Sequence, residues 1–176
     1  MPLSTHGGFR ARRGTIILAV ITLLVLLASA PGALRTAYDT GGFYLFSRAM
    51  FEDIPKRLTG PGKFRFVLQP LIGIVLGIRS GRADARAGRP PYLYGILFHG
   101  HLRRELMASG FQTVVNLLLM GILMDSIFQW IILGASYPGA AFVVGPVLIL
   151  LPYSTARALA NRLARLRTES GPVSGA

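Results

Sequence analysis

"NLLLMGILMDSIFQWIILGAS", residues 116–136, is an apolar run with a carboxylate, Asp125, near its centre. A helix needs about 20 residues to cross roughly 30 Å of hydrocarbon, and the run extends back to residue 110, which is ample. Three further apolar segments flank it, at residues 14–34, 64–78 and 138–156. The segment at 64–78 is short enough to be re-entrant, although Arg65 and Arg79 could snorkel in opposite directions and lengthen it. The expected fold is all-α and membrane-integral, with about four transmembrane helices joined by interfacial amphipathic segments.

Composition agrees. Among 176 residues 52% are hydrophobic and the mean hydropathy is +0.51, above the range of ordinary soluble domains. The formal net charge of +12 would suit nucleic acid in a soluble chain. Beside long apolar runs it reads instead as a topology signal and an attraction to anionic lipid. There is no cysteine, which removes disulfides, thiolate nucleophiles and cysteine-ligated metals. The dominance of arginine, with abundant alanine and glycine, suggests a bacterial source.

Arg10, Arg12 and Arg13 precede the first apolar run as they would in a signal sequence. The run continues through Leu34 and Pro31 follows Ala28-Ser29-Ala30, so an uncleaved anchor is expected. The basic tail 1–13 then lies in the cytoplasm. With four crossings, the basic loop 79–109 and the C-terminal segment 157–176, a basic helix and disordered tail, also fall inside, as the positive-inside tendency requires. Both termini would be cytoplasmic in a bacterial inner membrane. One feature opposes this arrangement: the external segment from Arg35 to Arg65 carries six basic residues, although Asp39, Glu52 and Asp53 partly balance them.

In that external loop, 35–63, the aromatics Phe43, Tyr44, Phe46 and Phe51 suit either the outer interface or packing on the bundle. On the inner side, Arg79, Arg82, Arg86, Arg89, Arg103 and Arg104 are expected headgroup contacts. Arg157, Arg162 and Arg165 could meet lipid phosphates or an acidic partner. Trp130, Tyr137 and Tyr153 suit the aromatic belts at membrane interfaces.

Asp125 is the main candidate site residue, because an ionisable group at membrane depth is functional by default. A span centred on it places the acid near mid-bilayer, with Gln129 on the same face and Thr22 and Gln69 at compatible depths. No basic residue falls in the central part of any apolar segment, so a neutral, hydrogen-bonded carboxyl or a counter-charge from another subunit is expected. Gln112 and Asn116 form a second polar pair. At about 100° per residue, Asn116 points roughly 180° away from Asp125, so no single polar stripe lines a pore. Gly145-Pro146 predicts a kink that frees the Phe142 carbonyl. Gly73 and Gly77 allow close helix approach, within the chain or between subunits.

His99 and His101 lack a third ligand at suitable spacing, and no metal or cofactor is expected. Phosphate-binding loops, nucleophile elbows and dinucleotide fingerprints are absent. Three function classes remain: a non-catalytic accessory or assembly subunit of a membrane complex, a small proton- or ion-coupled transporter using Asp125, and a lipid-acting enzyme. Scattered polar faces favour the first, with membrane lipid and other subunits or a second copy as partners and no nucleic acid.

Overall fold

A computed structural model of the chain describes residues 13–169. The expectations for the extreme N-tail and for the polar C-terminal tail lie outside them. Among the described residues regular structure is entirely helical: α1 (Arg13–Thr40), α2 (Arg48–Glu52), α3 (Ile54–Thr59), α4 (Arg65–Arg86), α5 (Tyr92–Phe98), α6 (Gly100–Leu133) and α7 (Pro138–Glu169). Four of these, α1, α4, α6 and α7, are long and apolar enough to span a membrane.

The helices outrun the apolar segments. The second one does not stop at residue 78 but continues to Arg86 as a 22-residue helix, about 33 Å long. Arginine, alanine and leucine are good helix formers, so loss of hydropathy does not end a helix. For the same reason α6 begins at Gly100 and absorbs the segment from Arg103 to Glu105. The turn between α6 and α7 has conventional punctuation: Gly134 closes α6 at φ +69°, and Pro138 opens α7 at a position needing no N–H donor.

Contacts set the directions. Gly73 faces Ile149 and Tyr153, Gly77 faces Tyr153 and Arg157, and Gly81 faces Arg157 and Ala160, so α4 and α7 run parallel. Gly121 meets Gly145 while Ser109 meets Arg157, which makes α6 antiparallel to α7. Tyr44, just beyond α1, stacks on Tyr137 with ring centroids 3.8 Å apart. The end of α1 therefore lies beside the α6–α7 turn, and the four long helices alternate up and down.

The closest seam is α4 on α7. A Cβ at Gly73 would lie 2.9 Å from the Ile149 carbonyl oxygen, and those at Gly77 and Gly81 would strike the carbonyls of Tyr153 and Arg157. The glycine pair expected to mediate helix approach thus continues to a third glycine, and its contact is within the chain. Packing of bare backbone on backbone is how apolar helices associate without a hydrophobic driving force. Gly145 uses the same device against α6, where a Cβ would sit 2.8 Å from the carbonyl carbon of Gly121. α7 is one helix through Pro146 and Pro152.

α1 is attached more lightly. Its inward residues Thr15, Thr22 and Ser29 recur every seven positions. Their hydroxyls include donors to the helix's own carbonyls, as Thr22 to Leu18 at 2.8 Å and Ser29 to Val25 at 2.7 Å. Such back-bonding satisfies the hydroxyls without a polar partner. The other faces of α1 present isoleucine, valine and leucine outward.

Candidate functional site

Asp125 is fully buried, and its counter-charges are internal. Arg65 Nη2 lies 2.5 Å from Oδ1 and Arg57 Nη1 3.5 Å from Oδ2. Both arginines are buried, at 2% and 3% exposure. This corrects the expectation of a neutral carboxyl or a counter-charge from outside. Arg65 belongs to the first turn of α4, at the edge of the apolar segment 64–78, and Arg57 to α3, within the expected external loop 35–63. The fold brings them inward over the side of α6. Along α6, Asp125 lies two turns before the end, about 12 Å from Leu133 along the axis.

Gln129, one turn on, joins the cluster to the α6–α7 turn. Its Nε2 donates to Asp125 Oδ2 at 2.5 Å and its Oε1 accepts from the Tyr137 backbone N–H at 2.9 Å. Phe128 flanks Arg65, whose guanidinium lies 5.6 Å from the ring centroid. On the other side Arg57 Nη2 donates to the Tyr44 hydroxyl at 3.3 Å, and that hydroxyl donates to Asp53 at 2.9 Å. Burial, then the hydrogen bond to Asp53, push Tyr44 up to about 12. Burial opposes ionisation of Asp53, but the hydrogen bonds from Lys56 and Tyr44 outweigh it and hold the carboxyl below its usual range.

Of the other residues grouped with Asp125 by depth, Thr22 is elsewhere: its hydroxyl meets the carbonyls of Leu18 and, at 3.4 Å, Leu119. Gln69 is buried one turn from Arg65 on α4, and its Oε1 accepts no hydrogen bond among the described residues. The Phe142 carbonyl is not among the partners of Asp125. Gln112 and Asn116 both face outward from α6, and neither side chain hydrogen-bonds within the described residues.

A second buried ion pair lies at the opposite end of the bundle. Arg157 of α7 holds Asp84 of α4 in a two-pronged contact, Nε to Oδ2 at 2.6 Å and Nη2 to Oδ1 at 3.1 Å. Arg157 also donates to the Tyr153 hydroxyl at 2.9 Å and to Ser109 of α6 at 3.0 Å, and it lies 4.2 Å from the centroid of Tyr92. Three long helices and α5 thus converge on one guanidinium, a planar fork suited to such a junction. Arg89 extends the network to Asp84 at 3.6 Å and to Glu105 at 2.8 Å. Its carbonyl accepts from Asn161 and Arg165.

Arg157 therefore does not face lipid phosphates, and Tyr153 is core rather than belt, with no exposed surface. Arg89 is engaged by acids, whereas Arg79, Arg82, Arg86, Arg103 and Arg104 are exposed. Asp84 escaped sequence reasoning because the second apolar segment ended before it. The four-residue stride Arg65, Gln69, Gly73, Gly77, Gly81 points to that face of α4, and α7 answers with Ile149, Tyr153, Arg157 and Asn161.

His99 and His101 lie with ring centroids 5.9 Å apart. No group of three potential metal ligands occurs among the described residues. No protein-family model, curated protein or solved structure matches the chain.

Proposed function

We propose that the chain is a non-catalytic subunit of a complex in a bacterial inner membrane, held rigid by two internal ion-pair clusters and docked to a neighbour through α6. The observation that carries this reading is the outward placement of Gln112 and Asn116. Asn116 lies near the middle of α6, about 18 Å from Arg104 and about 20 Å from Trp130 along the axis. An amide facing hydrocarbon without a partner costs on the order of several kcal/mol. A helix from another protein that hydrogen-bonds it removes that cost, and polar side chains commonly serve as such interhelical contacts.

The proposed orientation keeps both termini in the cytoplasm, and charge pairing supports it. Of the six basic residues assigned outside, Arg57 and Arg65 are taken up by Asp125, Arg48 pairs with Glu52 and Lys56 with Asp53. Three carboxylates thus pair with four of the six basic residues, which lessens the external excess without removing it. The arginine-rich ends of α4 and α7 and the start of α6 remain for the inner surface.

The buried carboxylates weigh against an ion-coupled transporter and against acid–base catalysis. Asp125 between two guanidiniums, and Asp84 gripped by Arg157, each fix several helices together. Mobilising either one strands buried positive charge. A photoreactive residue placed at Asn116 in native membranes tests the reading. A discrete protein adduct is expected there, and not from the same probe at Leu151. Labelling of lipid alone at both sites would overturn it.

A further inference from the structure

Beside the α4–α7 seam, on the face turned away from Asp84, lies an open cleft of about 1080 Å³. Its α4 wall is the stripe Ile74, Ile78, Arg82, Arg86, one residue per turn, apolar toward the bundle's middle and basic toward its end. Its α7 wall changes in the same sense, from Leu159 and Leu163 to Arg165 and Arg167. Because the two helices run parallel, their gradients add: an apolar trough opens into a mouth of four arginines. No carboxylate lines the cleft among the described residues. Asp84 is committed to Arg157 and Glu105 to Arg89. Arg165 is held by the Arg89 carbonyl, and its buried Nε has no hydrogen-bond partner among the described residues.

We infer that this cleft is a binding site for an anionic phospholipid, with acyl chains along Ile74, Ile78, Leu159 and Leu163 and the phosphate between Arg82, Arg86, Arg165 and Arg167. Charge complementarity selects an anion, and the adjoining trough selects one that carries a hydrocarbon chain. This inference rests on the membrane location but not on the docking of α6, so either can fail alone.

The test is native mass spectrometry of the delipidated full chain in neutral detergent, titrated with phosphatidylglycerol or phosphatidylcholine of matched chains. Phosphatidylglycerol is expected to bind at one saturable site and phosphatidylcholine at least tenfold more weakly. Each basic residue near an anionic surface contributes about a fivefold factor, so R82Q/R86Q/R167Q should weaken binding roughly a hundredfold. R13Q/R35Q/K63Q removes the same charge at exposed positions outside the cleft and should change it less than threefold. Equal losses in the two triple variants would reduce the effect to general charge attraction and overturn the site. So would displacement of the lipid by millimolar inorganic phosphate, or a dimer in place of a lipid adduct. The preference between the two lipids stands on the unaltered chain, whatever the stability of the variants.

Discussion

Replacing Asp125 with asparagine keeps the shape and the hydrogen bond from Gln129 but removes the one charge that pairs with both Arg57 and Arg65. Both guanidiniums are buried, at 3% and 2% exposure, so neither recovers its hydration while the fold persists. Breaking a buried pair from one side costs about 3–5 kcal/mol. Here one substitution leaves two cations facing each other, so the upper half of that range is expected, about three orders of magnitude in the folded-to-unfolded ratio. Reversible unfolding in mixed detergent–SDS micelles, followed by circular dichroism, measures it. The compensated variant D125L/R57M/R65M carries no buried charge at this place, and apolar replacement of a whole buried ionic cluster is often neutral or stabilising. It should return to within about 1.5 kcal/mol of the parent. A neutral carboxyl serving as glue predicts instead that Asp125→Asn is almost silent. A loss below about 1 kcal/mol, against the 3–5 kcal/mol expected, would falsify the double-arginine account.

At the other end, Arg157→Lys keeps the charge but loses the two-pronged grip on Asp84 and the contacts to Tyr153 and Ser109. It should cost about 2–4 kcal/mol in the same unfolding assay. Gly81→Ala drives a methyl into the Arg157 carbonyl and should cost about 1–3 kcal/mol, whereas alanine at Gly14, where nothing lies within 4 Å, should be neutral. Tyr44 has its pKa raised from 10.0 to about 12, so its contribution to folding is complete below pH 10 and lost as pH rises toward 12. Phenolate absorbance should show a late-titrating tyrosine that Tyr44→Phe removes. Asp53 works in the opposite sense: its pKa is lowered from 3.8, so the docking of α3 weakens as pH falls below that value. Loss of Tyr44–Tyr137 stacking in near-ultraviolet circular dichroism reports it.

The four apolar helices were legible because hydropathy over twenty residues is a strong and local signal. Their ends were not, because α4 and α6 continue through arginine-rich stretches that remain good helix. That one misplacement hid Asp84. The same-face relation of Asp125 and Gln129 followed from helical geometry alone. Its partners did not, since Arg57 reaches it from α3, a two-turn element whose docking depends on Tyr44, Asp53 and Tyr137 together. Depth matching also grouped Thr22 with Asp125, although the hydroxyl of Thr22 is satisfied by its own helix. A one-dimensional depth scale says nothing about which helices are neighbours.

The outward faces of Gln112 and Asn116 carry the functional proposal, and the mass of the extracted particle tests it most directly. The chain alone weighs 19.0 kDa. Gentle detergent extraction from native membranes should release it in a stoichiometric assembly of larger, defined mass, and Asn116→Leu should reduce that assembly. A protein-only mass equal to the single chain, unchanged by the substitution, would contradict the account.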